Sequence, residues 1–167
     1  MKDWATAARD GAVSGAAASV VSTALLSAFG KREAGSPYAP TNATSHWLWG
    51  DRAALQDAPS WRYTALGYLI HHASATFWAV IYEKWMDRGD RREEVLPALA
   101  KGAAIAGLAA FVDYQLTPKR LQPGYEMRLS RPALLAVYAG FGLAMAARSM
   151  LVREEGRERF RALPDRD

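Results

Sequence analysis

Four stretches almost free of charge, each close to bilayer-spanning length, alternate with loops crowded with arginine. They cover residues 11–29, 63–82, 95–116 and 132–152. A spanning helix needs about 20 mostly apolar residues. A soluble helix of that length keeps a polar face, with charges returning every turn or so. Segments 11–29 and 63–82 contain no Asp, Glu, Lys or Arg at all. In lipid, backbone polar groups must bond within the chain, which selects helices. The expected fold is all-α: one integral-membrane domain over residues 1–167, a bundle of four transmembrane helices.

The averages point the other way. Mean hydropathy is -0.15 and 23% of residues are charged, values that suit a cytosolic protein. The charges, however, collect between the apolar blocks. The net charge of +4 and pI near 9.5 therefore point to anionic headgroups and not to nucleic acid. Trp61, Tyr63, Tyr82, Trp85 and Tyr114 fall near the ends of the blocks, where an aromatic belt lies. With no cysteine, disulfides and thiolate metal sites are excluded. Asp3 and Asp10 dilute the basic start, and no A-x-A site follows the first run. That run reads as a retained span, not a cleaved signal.

Placing the N-terminus inside puts 12 Lys and Arg in the cytoplasmic segments and 8 in the opposite loops 30–62 and 117–131. The bias favours both termini in the cytoplasm, with the charged tail 153–167 solvated there. Loop 30–62 carries Pro37, Pro40, Pro59, Gly35 and Gly50, and is expected to be rich in turns. Its aromatics, among them Tyr38, Trp47 and Trp49, suggest that it folds back onto the helices. Asn42-Ala43-Thr44 matches a glycosylation triplet and reads as loop chemistry.

In the first block Gly11, Gly15, Ser19, Thr23 and Ser27 recur every four residues. In lipid, small residues let backbones approach closely. Gly102, Ala106 and Ala110 repeat the pattern, as do Ala136, Gly140 and Ala144. The ladder on the first helix has two readings: packing within one protomer, or a homo-oligomer seam.

Ionisable groups at membrane depth are costly and need a reason. His71 is expected to share a face with Tyr68, Trp78 and Tyr82; His72 shares one with Thr76, Ala79 and Glu83 and is the better candidate for the interior. Counting outward from the short loop near residue 90 sets Asp113 one turn from His71, and Lys101 one turn from Glu83. The first pair makes an outer polar layer; the second makes an inner layer, or else two snorkelling side chains. His46, His71, His72, Asp113, Lys119, Arg120 and Glu126 form the candidate functional cluster. No residue in it can be assigned a catalytic role. Metalloprotease, nucleophile-elbow, Walker and Rossmann motifs are missing, so no metal or cofactor is expected.

The run His71-His72-x-x-Ala75-Thr76-Phe77-Trp78-Ala79-x-x-Tyr82-Glu83, then Gly102-Ala103 and Leu116-Thr117-Pro118 on to Glu126 and Ser130, resembles the YagU-like family of small bacterial inner-membrane proteins. The resemblance covers the last two-thirds best. The second His and the stretch from His46 to Gly50 have no counterpart in it. It implies an inner-membrane location and no established enzymatic activity. The expected function is a small transporter-like, channel-like or accessory membrane subunit whose His and Asp respond to protons. The rival is a membrane-embedded enzyme acting on a lipid or headgroup at the outer face, with His46 or His72 as base, Asp113 as its orienter, and Lys119 and Arg120 binding anions.

Overall fold

A computed structural model describes residues 2–85 and 95–161, the side chains of 148, 149 and 151–161 excepted. The basic 86–94 loop and the tail side chains that weigh in the orientation argument lie outside the described residues. Among the described residues the chain is all-helical. Its elements are α1 (Trp4–Glu33), α2 (Ala39–Thr44), α3 (His46–Trp49), α4 (Leu66–Trp85), α5 (Val95–Phe111) and α6 (Arg131–Arg161), with short 3₁₀ and wide turns between them.

The long helices match the four apolar blocks closely. Two are long and apolar enough to cross a membrane by length and composition: Trp4–Glu33, and α5 continued through its last wide turn, Val95–Leu116. The sequence predicts four. In α4 the polar residues His71, His72, Ser74 and Thr76 lower the hydropathy. In α6 the apolar part, Arg131–Ala147, is shorter.

Helix starts and ends follow local chemistry. Asp3 caps α1 by accepting from the Thr6 backbone N–H at 2.9 Å, and Lys31 and Arg32 stand at its C-terminal end, facing the negative end of the helix dipole. Glu33 then accepts from the backbone N–H and hydroxyl of Ser130, at 2.7 and 2.9 Å, tying the end of α1 to the start of α6.

Three tight seams hold the long helices. On α1 the residues Gly11, Ser14, Gly15, Ala18, Ser19 and Ser22 are buried. A Cβ on Gly11 would lie 2.7 Å from the Cα of Val80, and one on Gly15 would lie 2.6 Å from the Cα of Thr76. The first three ladder positions are thus spent on α4 inside the chain, and Thr23 and Ser27 are half-buried. The register falls along α4 as it rises along α1, so the two are antiparallel. Gly102 of α5 and Gly142 of α6 face each other backbone to backbone. Gly140, one of the small residues the sequence marks on this helix, meets Leu25 of α1. Helix α6 therefore lies between α1 and α5, and its two glycines two residues apart serve different neighbours.

Loop 34–60 folds onto the end of the helices, as expected of so aromatic a segment. Asn42 is fully buried. Its Nδ2 donates to the carbonyls of Gln56 and Ala58 at 2.9 and 3.0 Å, and its Oδ1 accepts from Thr64 Oγ1 at 2.6 Å. The triplet is structural. The second loop locks to the first: Trp47 Nε1 donates to Gln122 O at 2.7 Å, and Arg128 donates to Asp57 at 2.6 Å. Gly124, at φ 91°, lets the second loop turn against Ala43 and His46, where a Cβ would lie 2.6 Å from the Ala43 carbonyl oxygen.

Three expectations follow. Replacing Gly15 by Leu should unfold the α1–α4 seam, at a cost beyond the roughly 1–3 kcal/mol of ordinary overpacking, because the obstacle is backbone. A thermal melt in detergent reads this, and an unchanged midpoint would contradict the seam. Asn42→Ala should destabilise by about 1–3 kcal/mol for each buried group left unpaired, seen as a lower melting midpoint with the helix content kept. The Ser130 bonds hold Glu33 below its ordinary carboxyl value of 4.5. Its contribution is complete above that value and is lost as pH falls through the lowered one. Glu33→Gln should therefore flatten the acid side of the stability–pH curve and leave its neutral side parallel to wild type.

Candidate functional site

The tight seams run α4–α1, α1–α6 and α6–α5. Helices α4 and α5 barely touch, and the gap between them is a recess of about 420 Å³ near the loop end. Its walls include Trp47, Ile70, Phe77, Trp78, Val112 and Leu121, and its polar groups include His71, Ser74, Asp113 and Tyr125. Behind it a cavity of about 40 Å³ shares His71, Ser74, Trp78, Asp113 and Tyr125, and adds Ser22 and Tyr138. At 10–15 Å³ per water, the cavity holds about three.

Each polar side chain has a local reason to be there. His71 lies on the buried face of α4 with Gly67, Ala75, Trp78 and Tyr82. Its Nε2 is 2.8 Å from Ser22 Oγ. The Ser22 hydroxyl also lies 2.8 Å from Ala18 O and 3.2 Å from Ser19 O, so it sits between the α1 backbone and the imidazole. The Tyr125 ring meets the imidazole edge-on at 6.2 Å.

Asp113 sits in the wide turn Val112–Leu116 that ends α5, where Thr117 N–H reaches back to Val112 O at 2.9 Å. Such turns interrupt the regular ladder and recur at functional sites. The carboxylate accepts from Tyr138 of α6 at 2.5 Å, and Tyr125 OH donates to Tyr138 OH at a longer 3.3 Å. Three elements thus converge on the one acid of the recess.

Of the sequence-derived cluster, the structure brings together His71 and Asp113 and separates the rest. His72, the expected interior residue, is half-buried; its Nδ1 is 3.2 Å from Ser19 Oγ, and Tyr68 packs on it instead of on His71. His46 is buried as a loop clamp, with Nδ1 3.0 Å from Ala43 O and Nε2 3.4 Å from Lys119 O. Lys119 is exposed, and Arg120 reaches the Trp47 carbonyl at 3.2 Å. None of these four lines the recess. Glu126 lines a different recess, between α5 and α6, and feels the charges of His46 and Asp113. In the inner layer, Glu83 is buried and is met by Lys2 Nζ and Ser14 Oγ, each at 2.6 Å, while Lys101 is exposed on α5. The charge brought to Glu83 by α1 was not foreseen.

Sequence reasoning missed Ser22, Ser74, Tyr125 and Tyr138. Among the described residues no three His, Asp or Glu approach closely enough to hold a metal ion. No protein-family model, curated protein or solved structure matches the chain.

The carboxylate of Asp113 is the one acid in an aromatic, otherwise uncharged recess. Tyr138→Phe removes its donor. It should leave the fold intact and lower thermal stability by about 1–3 kcal/mol, the range for a hydrogen bond to a charged group or a buried group left unpaired. Equal stability of the variant would show that the 2.5 Å contact carries no weight.

Proposed function

We propose that this chain is a four-span inner-membrane protein of the kind the YagU-like resemblance implies, and that it is a non-enzymatic, transporter-like binder of amphipathic amines. Membrane placement is supported by large apolar side chains exposed on every long helix: Val13, Val20 and Val21 on α1, Leu69 and Phe77 on α4, Leu96 and Phe111 on α5, and Leu135 and Leu143 on α6. A soluble protein rarely exposes so continuous a patch. Trp4 and Trp85 are exposed at one end and Trp61 at the other. From Trp61 to Trp85 a helix rises about 36 Å at 1.5 Å per residue, which brackets a hydrocarbon core of about 30 Å.

The observation that carries the ligand reading is the recess between α4 and α5. Trp47, Phe77, Trp78 and Tyr125 offer aromatic faces, and Asp113 offers one negative charge. Aromatic faces and a single carboxylate attract a cation with an apolar body. A proton and an ammonium compete for the same carboxylate, so binding and protonation oppose each other. Tyr138 fixes the carboxylate, and His71 lines the same recess beside it. Of the groups the catalytic alternative needs, Asp113 lines the recess, whereas His46, His72, Lys119 and Arg120 do not.

The test uses the purified protein and a dansyl-labelled alkylamine, whose emission rises on leaving water. Binding should be saturable and should weaken as pH falls. Asp113→Asn should lower affinity about tenfold or more, as loss of a charge-assisted contact does, and should remove the pH dependence. Wild-type binding by this variant at every pH would overturn the proposal.

A further inference from the structure

On the far side of α5 a second recess, of about 610 Å³, lies between α5 and α6 at the loop end. Its polar rim is Glu126, Arg131 and Gln115, with the Tyr114 hydroxyl beside them. Its deeper wall, one turn and more along the helices, is Ala110, Leu134 and Leu135. Leu135 is 73% exposed. A charged rim above an apolar, outward-facing wall is the profile of a lipid, head above tail.

The rim is chemically unfinished. Glu126 Oε2 and the Tyr114 hydroxyl are buried with no hydrogen-bond partner. Burial pushes the Glu126 carboxyl above the usual carboxylate range, against the opposing pull of its own and Gly124's backbone N–H. An orphaned buried carboxylate oxygen is costly, and an ammonium placed against it would remove the cost. Arg131 lines the same recess, is exposed, and makes no ion pair or hydrogen bond among the described residues. The rim thus presents one carboxylate oxygen and one guanidinium, neither with a hydrogen-bond partner among the described residues. A ligand matching both carries an ammonium and a phosphate on one short link.

We infer that the groove between α5 and α6 binds one phospholipid with a primary-amine zwitterionic headgroup, its ammonium on Glu126, its phosphate on Arg131 and one acyl chain along Leu134 and Leu135. The assignment rests on the membrane placement proposed above. A primary ammonium has three N–H donors for the carboxylate and the Tyr114 oxygen; a trimethylated one has none. An anionic glycerol headgroup brings no cation to Glu126.

Native mass spectrometry tests it directly. The full chain, released from detergent, is offered equal amounts of phosphatidylethanolamine, phosphatidylcholine and phosphatidylglycerol with identical acyl chains. Wild type should retain the ethanolamine lipid several-fold over the other two. Glu126→Gln should bring ethanolamine down to the choline level; Arg131→Gln should weaken all three phosphates together. Glu126→Asp, which keeps the charge, should keep part of the preference. Equal retention of the three lipids by wild type would overturn the assignment, as would an undiminished preference in Glu126→Gln. Alkaline carbonate extraction separates the two levels. A chain released to the supernatant without detergent would overturn the membrane placement, and this assignment with it. A chain that stays with the membrane but shows no preference would overturn the headgroup assignment alone.

Discussion

The architecture depends on the approach of α1 to α4 at Gly11 and Gly15. With no side chain at either position, the α1 backbone comes against Val80 and Thr76 of α4. That contact sets the depth of everything above and below it. It brings Ser14 and Lys2 to Glu83 at one end, and Ser19 and Ser22 to His72 and His71 toward the other. A second glycine contact, Gly102 to Gly142, does the same for α5 and α6. Small-residue packing of this kind needs no apolar driving force between helices, which is what a lipid environment requires.

The functional geometry follows from where such contacts are missing. Gly140 closes α6 onto α1 through Leu25, and no comparable glycine pair joins α4 to α5. Large side chains line the gap instead: Ile70, Phe77 and Trp78 from α4, and Val112 from the turn that ends α5. The space between the helices is the recess that contains Asp113. The same wide turn that ends α5 carries Asp113 and Tyr114 toward opposite recesses. One irregular turn thus serves two pockets. The interlocked loops, pinned by Asn42, Trp47 and Arg128, close the end above them.

Much of this was legible in the sequence, at the level of pattern. The four apolar blocks located the four long helices, because length and lack of charge are local properties, although α1 starts seven residues earlier and α6 runs nine residues further than its block. The ladder at Gly11, Gly15 and Ser19 marked the tightest seam for the same reason. Finer choices failed where they depended on neighbours. Helical periodicity put His71 and His72 on adjacent faces but could not say which faced inward; α1 decides that, by meeting both and sealing the His71 side with Ser22. Gly142 was overlooked in favour of Gly140 because α6 has two partners, and one helix read alone shows one stripe. Lys119 and Arg120 are near Asp113 in sequence, yet Pro118 and the turn after it carry them to the surface. The recess itself was invisible, since a gap between helices is a property of pairs.

The seam between α4 and α5 is open while the one between α1 and α4 is shut. The chain has no cysteine, so a single introduced thiol reports cleanly. Ser74 lines the recess and Ala18 is fully buried in the core. Ser74→Cys and Ala18→Cys, each in native membranes, can be treated with the small amine reagent 2-aminoethyl methanethiosulfonate and labelling followed with time. The account predicts fast labelling at position 74, slowed by an alkylamine, and none at position 18. Equal protection of the two thiols would mean that the α4–α5 seam is closed and would contradict it.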